Sequence, residues 1–227
     1  QGQTSRAQKG QIDDFNTYHE NILEWIKIAN EYKIPTFVLG VGLGGLIILN
    51  LLEKTELPIE GILLFSPMLE LKRDYKGRKN KLISNVGKIS KDTRFKVGIT
   101  PHDLTRNDEI IEETANDGLM LKKVTYSWYN LINEKMKETM DHIRDIKPIS
   151  ALIMYGTKDK ILETQSINEM KDKLKSKEMY FKVWDGLYHE IHNEPERDLV
   201  MRYVLSFLNN SVNTMGFIVN EEEIEDI

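Results

Sequence analysis

Three places in the 227-residue sequence combine residue types that can do chemistry. The turn Gly40-Val41-Gly42-Leu43-Gly44-Gly45 separates two apolar runs, Thr36-Phe37-Val38-Leu39 and residues 46–52. Asp159 closes Tyr155-Gly156-Thr157-Lys158-Asp159, just past the apolar run 151–155, and His189 lies in Trp184-Asp185-Gly186-Leu187-Tyr188-His189-Glu190, just past the run 179–184. A carboxylate that orients an imidazole, and an imidazole that takes and returns a proton, are the two supporting members of a nucleophilic relay. The glycine turn itself reads in two ways. As G-x-G-x-x-G, through Gly40, Gly42 and Gly45, it matches a dinucleotide fingerprint, which also wants an acidic residue at the end of the next strand to hold the ribose. That strand ends in Phe65-Ser66-Pro67, with no acid. As G-x-S-x-G, a nucleophile elbow on a sharp strand-to-helix turn, Gly40 and Gly44 are the flanks and Gly42 stands where Ser belongs. The partners then follow in the chain order nucleophile, Asp, His that this elbow uses.

The elements that must position these residues are legible from periodicity. Asp13 or Asp14 caps a helix ending near Lys33, with Phe15, Tyr18, Ile22, Trp25 and Ala29 on one face. Residues 37–39, 61–65, 151–155 and 179–184 read as strands, in that order across a mostly parallel sheet. The run 61–65 is continuous rather than alternating, as a strand covered by helices on both faces requires. A helix with Ile167, Met170 and Leu174 inward precedes the last strand. Another, opened by Asn193 and Pro195, presents Val200, Met201, Val204, Leu205 and Leu208. Strands alternating with helices predict an α/β fold. Residues 68–147 carry no strongly β-like run and read as a largely helical insertion at the carboxyl ends of the strands, where such sheets bind ligands. Within it, Tyr126, Trp128, Tyr129, Met136 and Met140 are candidates to line an acyl pocket, with packing inside the insertion as the alternative.

Composition narrows the function classes. A net charge of −5 gives no global drive toward nucleic acid. Zero Cys excludes disulfides and thiolate zinc sites and fits a reducing, cytoplasmic compartment. No H-x-x-x-H or paired-carboxylate pattern points to a metal, no cofactor is implied, and His19, His102, His142 and His192 gain no role from their spacing. The uncharged stretch 34–52 holds Pro35, four glycines and Asn50, which suits a strand, a turn and a buried helix better than a membrane span. Charge is uneven, however. Residues 72–96 carry ten cations against Asp74 and Asp92, about +8, and Leu82, Ile83, Val86 and Ile89 give them an apolar stripe suited to an anionic membrane surface. A solvated surface is the plainer reading. The tail 211–227 is acidic and expected to be solvent-exposed. The chain opens at Gln1 without an n-region or h-region, so a signal peptide is not expected and a fragment of a longer protein is consistent with the sequence.

Taken together, these pieces resemble the α/β-hydrolase superfamily, and within it the monoacylglycerol lipase and lysophospholipase group of serine hydrolases, with bacterial phospholipase-like members most similar. The resemblance covers nearly all of residues 1–208. It rests on Gly2-Gln3-Thr4-Ser5, the elbow with Gly44-Gly45-Leu46, Phe65-Ser66-Pro67, Asn116-Asp117-Gly118-Leu119, residues 156–159, and Tyr188-His189-Glu190 with Asn193-Glu194. It implies a hydrolase core over 1–67 and 148–210, a helical cap over 68–147, and a lipid or acyl-ester substrate such as a lysophospholipid or monoacylglycerol. It also implies catalytic roles for position 42, Asp159 and His189, with the Leu43 N–H as an oxyanion donor. Two departures stand out. The family's Ser is Gly42, so no hydroxyl is present to attack a carbonyl, and a non-catalytic lipid- or acyl-binding protein becomes the competing function. The family's first strands are also not in this chain, which would leave the 37–39 strand as an edge prone to aggregate or to recruit another strand.

Overall fold

An apolar run without alternation makes a strand buried on both faces, and the computed structural model, which describes residues 9–72 and 92–214, sets two such runs, 61–65 and 150–156, between two more exposed strands. The described strands are β1 (Phe37–Val41), β2 (Gly61–Phe65), β3 (Arg94–Lys96), β4 (Lys123–Thr125), β5 (Ser150–Gly156) and β6 (Met179–Trp184). The main sheet has the order β1-β2-β5-β6 and is parallel throughout, as the sequence predicts. Every residue of β2 is buried, and the pleat sends Ile62 and Leu64 to one side and Leu63 and Phe65 to the other. β5 does the same with Ala151 and Ile153 against Leu152 and Met154, so two apolar cores sandwich one sheet. Among the described residues β1 has a partner on one side only, and Leu39 on it is half exposed.

The described helices are α1 (Asn16–Asn30), α2 (Leu43–Leu52), α3 (Pro101–Leu104), α4 (Asp108–Asn116), α5 (Tyr126–His142), α6 (Gln165–Lys173) and α7 (Arg197–Thr214). α2 is buried on every side from Gly45 to Leu52, which explains a sequence apolar all round rather than striped. The inward set of α6 is as expected: Ile167, Met170 and Leu174 are all buried.

Three expectations need correction. Trp25 on α1 is 71% exposed, whereas His19 and Ile26 are buried. The registers 15-18-22-25 and 15-19-22-26 share Phe15 and Ile22. A polar His19 disguises the second, which is the one that packs. On α7 the buried side chains are Val200 and Phe207, with Val204 and Leu208 packed beside them, while Met201 and Leu205 stay exposed. Residues 68–147, expected to lack strand, contain an antiparallel pair, β3 with β4, in which Phe95 faces Val124. Three-residue strands are too short for a period of two to register in the sequence.

α2 is tied to α5 by a polar cluster below the turn. The Asn50 amide, fully buried, donates to Thr139 Oγ1 at 3.0 Å and to Glu53 Oε2 at 3.2 Å. Burial, with Glu138 beside it, pushes the Glu53 carboxyl up to about 7, and burial, with Lys54 and Lys135 nearby, lowers His19 to about 4. Opposite slopes follow by linkage. From its ordinary value near 4.5 up to about 7, folded Glu53 holds a proton the unfolded chain has lost, so stability falls as pH rises. From about 4 to its ordinary 6.5, His19 is protonated only when unfolded, so stability rises. The two offset in mild acid. Replacing Glu53 by Gln, which keeps the Asn50 contact, is therefore expected to raise the urea midpoint relative to the original chain increasingly between pH 5 and pH 7.5. A difference that is constant with pH would contradict the assignment.

Candidate active site

The carboxyl ends of three strands of the parallel sheet deliver Gly42, Asp159 and His189 to one edge, the place where open α/β sheets bind ligands. β1 runs into Gly42, β5 into Asp159 and β6 into His189. The turn after β1 is sharp. Gly42 has φ 52° and ψ −114°, in the half of backbone space that L side chains rarely enter. Its N–H donates to Phe65 O at 3.0 Å, and its carbonyl accepts from Gly45 N at 3.1 Å and Met68 N at 2.9 Å, so the turn is held from both sides. Gly45 must be small, because a Cβ there would lie 2.8 Å from Pro67 Cβ.

Asp159 and His189 meet as the sequence order implies. His189 Nδ1 lies 2.8 Å from Asp159 Oδ2, and both residues are buried. The other carboxylate oxygen, Oδ1, accepts from Ile161 N at 2.8 Å and Leu162 N at 2.9 Å, which fixes the carboxylate plane. The Lys72 ammonium donates to the Asp159 carbonyl. His189 is anchored through its own carbonyl, which accepts from Ser66 Oγ at 2.8 Å. Ser66 itself has φ 43°. The far side of the imidazole points at the glycine turn: a Cβ on Gly42 would stand 3.1 Å from His189 Nε2, with nothing but that ring within 4 Å. One more bond from such a Cβ brings a hydroxyl within reach of the imidazole nitrogen. Leu43, the first residue of α2, has an N–H in the turn whose donors lack an intrahelical acceptor.

The five aromatic and methionine candidates of residues 68–147 do not share one cavity. Trp128 lines an apolar cavity of about 490 Å³ with Val97, Ile99, Pro101, Leu104, Met120 and Leu121. Met136 borders a different cavity, of about 390 Å³, beside Leu69 and Met140. Tyr129 is buried against Phe95, with ring centroids 5.4 Å apart, and Tyr126 packs on the same ring at 6.5 Å. Sequence reasoning missed the role of Ser66, read as a strand terminator and as part of the Phe65-Ser66-Pro67 resemblance, and it missed the anchoring of the His189 loop by Glu194. Of the basic stretch 72–96, residues 73–91 lie outside the described residues, as do 215–227 of the acidic tail. Among the described residues no group of three or more His, Asp or Glu side chains could hold a metal ion, and no helix is long and apolar enough to cross a membrane.

A family model described as serine aminopeptidase, S33 (Hydrolase_4) matches residues 1–196. The chain belongs to this family. The hydrolase is 29% identical to phospholipase YtpA of Bacillus subtilis (strain 168) over 213 residues, which are 93% of this chain and 82% of that one. In fold it is similar to the monoacylglycerol lipase of Paleococcus ferrophilus, with a TM-score of 0.73 at 23% identity over 85% of this chain and 75% of the other. It is also similar to a soluble variant of monoglyceride lipase from Saccharomyces cerevisiae, solved with a substrate analogue, with a TM-score of 0.78 at 19% identity over 89% and 71%. The hydrolase thus has the α/β-hydrolase fold and falls in the esterase and lipase branch of the serine hydrolases, in the monoacylglycerol lipase and lysophospholipase group.

Proposed function

We propose that the chain is built as a carboxylic ester hydrolase acting on lysophospholipid or monoacylglycerol-type substrates, with residue 42 as the seat of the nucleophile. His189 is the general base and acid, Asp159 fixes its tautomer and stabilises the imidazolium, and the Leu43 N–H donates to the developing oxyanion. One observation carries this reading: His189 Nε2 is the atom that a Cβ on Gly42 would meet, at 3.1 Å, so that a side chain there comes into direct contact with the imidazole once the ring gives by a few tenths of an ångström. With Gly in place no acyl-enzyme forms there, so the chain as it stands lacks the covalent step.

Residues 68–147 act in this reading as a cap over the sheet edge, and the apolar cavity lined by Trp128 and Leu104 receives the acyl chain. Its volume and apolar walls suit an alkyl tail. The charge of about +8 over 72–96 supports approach to anionic lipid. The competing reading, a non-catalytic acyl-binding protein, is favoured by Gly42 itself and uses the same cavity. Titration with the ether lipid 1-O-decylglycerol is expected to shift the fluorescence of Trp128, with the shift lost in Trp128→Phe and the affinity reduced at least tenfold in Leu104→Glu. Binding that is unaffected by Leu104→Glu would remove the acyl chain from this cavity.

A further inference from the structure

The His189 loop and the insertion meet through one carboxylate. Glu194 is fully buried, and its two oxygens face opposite ways. Oε1 accepts from Tyr188 N at 2.6 Å, in the turn that presents His189. Oε2 accepts from Arg106 Nε at 3.0 Å and Arg106 N at 3.2 Å, in the insertion. The same two segments are joined nearby by Glu190 N donating to Leu104 O at 2.8 Å and by Thr105 Oγ1 donating to Asn193 O at 2.9 Å. Leu104, immediately before this junction, is a wall of the apolar cavity.

We propose that Glu194 is a positioning residue, which couples the insertion that forms the cavity to the turn that carries His189, with Arg106 as its partner. Resting on the ester-hydrolase reading for its consequence, it means that the state of the cavity wall is felt at the imidazole. A buried carboxylate needs its donors, and a cation pairs with it most strongly where water is excluded. Without the Arg106 guanidinium, therefore, Oε2 keeps only the backbone N–H of residue 106, the buried carboxylate loses its charge partner, and its hold on Tyr188 N is weakened. Nothing in the backbone of the turn itself replaces that acceptor. Glu196 pairs with the outer nitrogen of the same guanidinium, Nη2, at 2.5 Å and belongs to the exposed rim rather than to the junction.

The test uses the chain as it stands, by NMR, so that it does not depend on ester hydrolysis. Arg106→Gln, at a side chain about one-third exposed, is expected to speed hydrogen exchange of the Tyr188 N–H at least tenfold and to broaden the His189 Nδ1 proton. Exchange at Ile153 in the central strand should stay unchanged. Arg106→Lys is expected to restore part of the protection, and Glu196→Gln to leave both signals as in the original chain. In a Gly42→Ser background, Arg106→Gln is expected to lower kcat about tenfold with KM within twofold. Unchanged Tyr188 exchange and an unchanged His189 proton in Arg106→Gln would overturn the inference, and so would an equal rise at Ile153, which marks general loosening. If Gly42→Ser hydrolyses no ester, the functional reading falls, while the exchange data still decide this one.

Discussion

Replacing Gly42 by Ser is expected to raise hydrolysis of long-chain monoacyl esters by about 10³-fold or more over the original chain. Removal of the nucleophile from the best-studied serine hydrolase costs about 10⁶ in kcat, leaving only what binding and oxyanion stabilisation supply. The reverse change should recover part of that factor, because the Asp159–His189 pair already faces position 42. The His189 ring is 2.8 Å from its orienting carboxylate and aimed at the vacant position, with 3.1 Å between Nε2 and the point where Cβ would lie. The change carries a conformational cost. Gly42 sits at φ 52°, where a residue with a Cβ is strained by ~1–3 kcal/mol. The revertant should therefore melt below the original chain by a few degrees while gaining activity. A folded revertant without activity on any monoacyl ester, short or long, would defeat the enzyme reading and leave the acyl-binding one.

Once Ser is restored, Asp159→Asn is expected to reduce kcat about 10⁴-fold with the fold intact, the size of effect seen when the same change is made in a serine protease triad. The local geometry supplies the reason. Asp159 Oδ1 accepts from the Ile161 and Leu162 N–H groups, an arrangement the amide oxygen of Asn can keep. The amide nitrogen must then face His189 Nδ1. Nδ1 becomes an acceptor, the imidazole proton moves to Nε2, and the ring can no longer take a proton from position 42. Circular dichroism and KM should change little, and a loss below tenfold would show that Asp159 does not set the tautomer. His189→Ala is expected to lose as much or more.

Much of this arrangement was legible in the sequence because it rests on strong local signals. Apolar runs bounded by glycine or proline mark three of the four strands of the main sheet, the fourth is the run 179–184 interrupted by Lys182, and their order along the chain is their order in the sheet. Since parallel strands all end at one edge, Asp159 and His189, each a few residues past a strand, had to emerge near the glycine turn. What could not be read depends on contacts distant in sequence. The inward face of α1 is decided by the buried polar residue His19, and the helical period alone leaves its register open between two faces. The strands β3 and β4 are stabilised by each other across 26 residues of intervening chain and carry no pattern of their own. Tyr126, Trp128, Tyr129 and Met136 share one helix, the first three within one turn and Met136 two turns on, and that spacing does not say which neighbours divide them between cavities and core. Glu194 looks in sequence like any acid ahead of a helix; its burial follows from Arg106, 88 positions earlier.

The central claim is that position 42 is the seat of a nucleophile facing His189, and active-site labelling tests it most directly. Intact-mass spectrometry after exposure to an alkyl fluorophosphonate should show no adduct on the original chain and one adduct on Gly42→Ser, mapped by peptide sequencing to residue 42. The adduct should be absent when His189 is also replaced by Ala. Equal labelling of the original chain, or a folded Gly42→Ser protein that stays unlabelled, would contradict the account.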